Sequence, residues 1–270
     1  MKIIRDEAIR IAKLAGQKIK ELRENEQYHE SIKNGYELVT TADLMSNELI
    51  KTEIAKNFPN DQLLSEEESD HNHPASLLNP TWIVDPIDGT VGYVNNHYQV
   101  CVSIAYAVDN KVRVGVVYNP FLDELFYAVD GEGAFLNHTS IRVNNTYDLS
   151  QSVIGTGFPH KRDDLSEPLA LLAAILPKIR DVRRLGSPAL DICWVASSRM
   201  QGFYEGQLHP WDGAAARLIA QEAGANTSHF GKPLPSNSVR SCINGDHVIV
   251  SGPKIFEELK LLLNQAIQQS

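Results

Sequence analysis

Apolar residues recur at steps of three and four along the first two dozen positions: Ile4, Ala8, Ile11, Ala15, Ile19 and Leu22. That spacing lays a single apolar stripe along a helix. A second helix is predicted from an N-cap at Thr40 or Thr41, carrying Leu44, Ile50 and Ile54 inward and ending at Pro59. The rhythm then changes. A short apolar strand, "QLLS", runs into a polar loop, and "TWIVD", "VCVSIAYAV", "KVRVGVVYN" and "ELFYAVD" read as strands. Asp109-Asn110 makes a tight turn within that meander. Two helices followed by an antiparallel sheet are an α+β pattern.

Strands and helices alternate from about residue 150. "SVIGTG", "IRDVRRL", "GFYEG" and "HVIVSG" read as strands, and "DLSEPLALLAAILP", "SPALDICWVASSR" and "WDGAAARLIAQEAG" as helices, with a last helix after them. Ser187 is the N-cap of the second of these helices and Pro188 its first residue, while Gly224 closes the third. Alternation of this kind implies mixed or parallel α/β organisation. The chain thus divides into an α+β portion, residues 1–145, and an α/β portion, residues 146–270, joined through "HTSIRVNNTYDLS".

Composition narrows the classes. The 270 residues carry a net charge of -9, which sets the molecule as a whole against nucleic acid and anionic membrane. Cys101, Cys193 and Cys242 are odd in number and form no CxxC, so a disulfide framework is not expected and a reducing cytoplasm is. Charges interrupt the N-terminal helix where a signal peptide would need an apolar core. No stretch approaches the ~18–20 apolar residues of a membrane helix.

The candidate chemistry sits in "WIVDPIDGT". A strand ending at Asp85 leaves a carboxylate at the sheet edge, Pro86 bends the chain, and Asp88 returns beside Asp85. The carbonyl of Ile87 can face the same side. Gly89 and Thr90 follow with backbone N–H groups at the start of a short helix. Carboxylates with a carbonyl attract a hard cation, and adjacent N–H groups attract phosphate. The two acids are one residue too far apart for a D-x-D-x-T aspartyl nucleophile, and no P-loop occurs. Two further acids look as if they belong to the turn. Glu66 follows "QLLS" at a sheet end, although Glu67 and Glu68 leave the register open by one; Asp212 opens the alanine-rich helix. His71 and His73 sit in a polar loop and read as solvated.

"DPIDGT" together with "WDGAAARLIAQEAG" resembles the paired signatures of the inositol monophosphatase family, with "ELVTTAD", "LLSEEES", "GVVYNP", "GEGAF" and "RRLGSPALDICWVA" falling in family order from about residue 5 to about 260. The resemblance implies a layered αβαβα sandwich of the sugar-phosphatase type and a lithium-sensitive homodimer. It implies two or three Mg2+ ions and a small phosphorylated metabolite as partner. By the same resemblance Glu66, Asp85, the Ile87 carbonyl, Asp88 and Asp212 are metal ligands. Asp43, Glu66 and Thr90 serve the attacking water, the Gly89 and Thr90 N–H groups take the phosphate, and Ile87, Asp88, Ser187, Glu205 and Asp212 lie along the substrate. Ala42, Ser65, Gly92, Pro188 and Gln201 depart from the family pattern without removing a ligand.

The implied activity is phosphomonoester hydrolysis by in-line water attack on a small polyol or sugar monophosphate. A carboxylate at Glu205 suits hydroxyls and disfavours a second phosphate, and a strand would send Arg183 and Arg184 to opposite faces. The alternatives are a same-fold phosphatase for a nucleoside bisphosphate, fructose bisphosphate or NADP, or a non-catalytic member that binds metal or a partner.

Overall fold

The computed structural model describes residues 1–68, 76–231 and 247–269; His71, His73 and Cys242 lie outside the described residues. Helix α1 (Lys2–Glu24) buries Ala8, Ile11, Ala15, Ile19 and Leu22, the stripe set by its spacing. Helix α2 (Thr41–Asn57) starts from Thr40, whose Oγ1 accepts from the N–H of Ala42 and Asp43, while the Asp43 carboxylate accepts from the N–H of Thr40. This reciprocal cap fixes where the helix begins. Leu44 does not point inward: it is 48% exposed. The buried stripe of α2 passes instead through Ala42, Asp43, Ser46, Asn47, Ile50 and Ile54, and Leu44 lies off that three- and four-residue register. The inward face is polar at its N-terminal end, where it borders the site.

The first portion also forms a hairpin that its apolar pattern does not announce, β1 (Glu30–Lys33) with β2 (Glu37–Thr40). Its strands are mostly exposed, so no buried face imposes alternation on them. Strands β3 (Gln62–Ser65), β4 (Thr81–Asp88), β5 (Cys101–Val108), β6 (Lys111–Asn119), β7 (Glu124–Val129), β8 (Ala134–Leu136) and β9 (Thr139–Ile141) make a seven-stranded sheet in chain order. All its pairs are antiparallel except β3 with β4, which is parallel. Asp109 and Asn110 both take positive φ in the β5–β6 turn. A short helix α3 (Thr90–Val94) follows β4.

The second portion contributes β10 (Val153–Thr156), α4 (Ser166–Ile175), β11 (Asp181–Arg183), α5 (Pro188–Ala196), β12 (Gly202–Glu205), α6 (Pro210–Glu222), β13 (Asn226–His229), β14 (Val248–Ser251) and α7 (Pro253–Gln269). Its sheet runs β11-β10-β12-β14-β13, parallel across β11, β10 and β12 and antiparallel across β12, β14 and β13. The layers alternate. Helices α1 and α2 cover one face of the large sheet. Helices α5 and α6 fill the space between the two sheets, and α4 and α7 cover the outer face of the second. Among the described residues no helix is long and apolar enough to cross a membrane.

The alanine-rich face of α6 lets that helix sit almost on the backbone of β6. A Cβ added to Gly115 would stand 2.5 Å from the Ala215 carbonyl oxygen, with backbone on the far side and nothing flexible to yield. Gly115→Ala is therefore expected to destabilise the protein by about 1–3 kcal/mol through overpacking. A urea unfolding midpoint unchanged from wild type would show that α6 can back away freely.

Candidate active site

The acidic turn is a bulge rather than a strand end. Strand β4 continues past Asp85 to Asp88, with Asp85 opposite Ser103 and Asp88 opposite Cys101, so one extra residue is accommodated on β4. Pro86 lies inside the bulge, and its missing N–H is one fewer ladder donor to satisfy there. The bulge brings Asp85, the Ile87 carbonyl and Asp88 to the rim of one cavity of about 150 Å³. Asp85 Oδ1 accepts from the Ile87 N–H at 3.0 Å. Asp88 Oδ2 accepts from Ser187 Oγ and the Ala189 N–H, both at 2.7 Å. Gly89 turns the chain at φ +100, where a Cβ would meet the Gln99 carbonyl oxygen at 2.8 Å. Thr90 then opens α3, with its hydroxyl 3.2 Å from both Asp43 Oδ1 and the Ile87 carbonyl oxygen. A single hydroxyl proton serves one of those acceptors at a time.

Other elements complete the wall. Glu66 follows β3 and lines the cavity with Asp85, Asp88, Glu205 and Asp212. Lys33 of the hairpin bonds both Glu66, at 2.8 Å, and its neighbour Glu67, at 2.7 Å. Asp212 is the third residue of α6, and its carboxylate accepts from the His209 N–H at 2.7 Å, so the helix cap aims it. Glu205 ends β12 and lies across Gly157, whose lack of a side chain makes room for the carboxylate. Two residues expected on the wall stand behind it. Ser187 is fully buried, caps α5 and donates to Asp88; Asp43 is buried and reaches the site through Thr90. Gln201 binds the Val153 N–H and stabilises β10.

Lys33, Tyr36, His160 and Arg184 also border the site, the last three directly on its wall. Nothing in their spacing singled out the first three; Arg184 was visible only as half of a strand-end pair. All four come from the hairpin or from loop segments, where position is a matter of tertiary contact.

Burial pushes Asp43 and Asp88 up to about 7 and drives Asp85 and Asp212 further upward, with repulsion from Glu66 reinforcing each. Like charges about 4 Å apart near a protein surface repel by ~4 kcal/mol, so a few such contacts rival the stability of a domain. Among the described residues no three acidic, histidine or cysteine side chains are already drawn to one coordination point, and Glu66 is engaged by Lys33. The donor set of carboxylates and one carbonyl is all oxygen, which fits magnesium and not a thiolate- or imidazole-seeking metal. A carboxyl group raised in the folded state holds protons that the unfolded chain has released, so stability falls as pH rises between the unfolded value near 4 and the folded one near 7. The chelator-treated protein is expected to melt at a lower temperature at about pH 8 than at about pH 5, with magnesium restoring most at the higher pH. Thermal melts across that range with and without magnesium check this; a flat chelator series contradicts it.

The cluster can be compared with known proteins. The profile of the inositol monophosphatase family matches residues 2–269. Nus factor SuhB of Pasteurella multocida is 36% identical over 254 residues, spanning 93% of this chain and 92% of that protein. Inositol monophosphatase 1 of Solanum lycopersicum is 39% identical over 221 residues, 80% and 81% of the two chains. The solved structure of the Thermotoga maritima IMPase superposes with a TM-score of 0.85 at 29% identity, covering 100% of this chain and 99% of the other. The name Nus factor among the relatives leaves the exclusion of nucleic-acid partners, drawn from net charge, without support. The fold expected from the sequence, an αβαβα sandwich, is the fold found, and the chain belongs to the inositol monophosphatase family.

Proposed function

We propose that this protein is a magnesium-dependent phosphomonoesterase that hydrolyses a small hydroxylated phosphate ester by in-line attack of water. The observation that carries the reading is the meeting of Glu66, Asp85, Asp88 and Asp212 on one cavity beside the Thr90–Asp43 pair. Bound magnesium would be held by those four acids and the Ile87 carbonyl, and would supply positive charge for the attacking and leaving oxygens. The chain's own groups do the rest. The Thr90 hydroxyl, in contact with Asp43 Oδ1, orients the attacking water and relays its proton toward the carboxylate. The Gly89 and Thr90 N–H groups face the phosphate. The new P–O bond forms to water as the ester P–O bond breaks, and the leaving oxygen takes a proton from solvent. Glu205, at the far side of the cavity from the turn in sequence, offers its carboxyl group to hydroxyls of the leaving group. His160 and His209 also border the cavity, but this route needs neither as a nucleophile.

Phosphate release from inositol 1-phosphate tests the reading. It is expected to require magnesium and to be nearly abolished in Asp212→Asn, while the fold is retained. Magnesium-independent release, or wild-type turnover in that variant, overturns it. Thr90→Ala is expected to lower kcat by about 10²–10⁴ with a smaller change in KM, as loss of a water-orienting group requires. A raised KM at normal kcat would reduce Thr90 to phosphate binding. Glu66→Gln is expected to be more damaging than Glu67→Gln, because Glu66 lines the cavity and Glu67 does not. The reverse ranking would shift the metal ligand by one residue.

A further inference from the structure

The start of α5 packs directly on the acidic turn. The Gly186 carbonyl oxygen and Ser187 Cβ lie 3.2 Å and 3.4 Å from where a Cβ of Gly89 would stand. A helix pole that borders a site in this way ordinarily offers free N–H groups, because its first turn has no intrahelical acceptors. At positions 188–191 none is left over. The Ala189 N–H is taken by Asp88 Oδ2 at 2.7 Å, and the Leu190 N–H points to the Ser187 hydroxyl oxygen at 3.4 Å. The Ser187 hydroxyl proton also goes to Asp88, and the Asp191 N–H closes the first helical turn on the Ser187 carbonyl oxygen. The remaining residue of that turn is Pro188, which has no N–H.

Pro188 is the only residue of α5 on the cavity wall, and it is half-buried there. What α5 shows to the cavity is therefore a pyrrolidine ring, an apolar surface in company with Asp88 and Gly89. Phe158, Pro159, Leu208 and Trp211 add further apolar surface to the same cavity, alongside its charged side chains. The fixed φ of proline suits the first position of a helix, so helix stability by itself accounts for a proline here. Its place on the wall adds a second consequence. A hydroxyl of the leaving group set against the ring gives up its water and gains no partner, whereas a C–H edge in the same place leaves no polar group unpaired.

We propose that Pro188 is a specificity-determining residue, which selects esters whose leaving group turns a C–H edge rather than a hydroxyl toward the start of α5. This rests on the hydrolase reading above and deepens it by naming which edge of the leaving group is read. Hydroxyls that reach Glu205 then lie on its other edges.

Restoring the N–H is the direct test. Pro188→Ala and Pro188→Val both return an N–H to the first turn of α5. Alanine also opens space, while valine keeps most of the apolar bulk. The substrates are cyclohexyl phosphate and the four stereoisomers of 2-hydroxycyclohexyl phosphate, which add one hydroxyl beside the ester carbon in every orientation. For each isomer the ratio of its kcat/KM to that of cyclohexyl phosphate is measured in the wild type and both variants. A general loss of folding or of metal affinity cancels from such a ratio. For at least one isomer it is expected to rise by about fivefold or more in both variants, the size of one net hydrogen bond. A rise in only one of the two variants marks a change of space rather than of hydrogen bonding and overturns the proposal, as does a ratio unmoved in both. Calorimetric titration of the same esters into the calcium-loaded proteins gives the comparison without turnover. If no ester is hydrolysed but the binding ratio rises in both variants, the hydrolase reading fails and the role of Pro188 stands. If hydrolysis is magnesium-dependent and neither ratio moves, the role of Pro188 fails alone. If no ester is hydrolysed and none binds, both readings fall.

Discussion

Everything about this site follows from the cost of gathering carboxylates. Asp85, Asp88, Asp212 and Glu66 share one cavity, and burial, reinforced by repulsion from neighbouring acids, drives the three aspartates toward their neutral forms. A cluster of that kind persists only if each member is held by donors that do not depend on charge, or if cations enter. Both devices are present. Asp85 takes the Ile87 N–H, Asp88 the Ser187 hydroxyl and Ala189 N–H, Asp212 the His209 N–H, and Asp43 the Thr40 N–H and hydroxyl. Lys33 supplies one protein cation, to Glu66.

These donors belong to ordinary backbone devices placed at element ends. A bulge re-aims β4, a capping box starts α2, another aims Asp212 at the start of α6, and the N-cap serine of α5 reaches across to Asp88. Because the caps also set where the helices begin, the geometry of the acids and the register of the helices are one constraint. The layered packing then brings the ends together. Close approach of α6 to β6 at Gly115 and Ala215 sets the depth of Asp212, and the open space over Gly157 receives Glu205. Positions near the cavity are therefore small or buried for steric reasons, and Asp85, Asp88 and Asp212 sit on regular elements.

The basic side chains on the cavity wall are placed differently. Arg184, His160 and Lys161 come from segments outside the helices and strands, and no regular element fixes them as the caps fix the acids.

Much of this was legible in the chain itself. The spacing of Ile11, Ala15 and Ile19, the turn at Asp109-Asn110, the serine-proline start of α5 and the two-motif pattern around Asp85 and Asp212 all express local rules of period, capping and turn chemistry. Such rules act over a few residues, and so a linear reading captures them. Four features escaped it. Leu44 faces out because the inward stripe of α2 is polar where it borders the site. Strand β4 runs on through its proline because β5 pairs with it on both sides of a bulge. Ser187 stands behind the wall because its hydroxyl is taken by Asp88, a residue 99 positions away. Lys33 meets Glu66, and Arg184 faces the cavity, only once the hairpin and β11 are docked. Periodicity and capping determine which residues can form an element; contacts between residues far apart in the chain decide which of their side chains meet, and that was left to the tertiary structure.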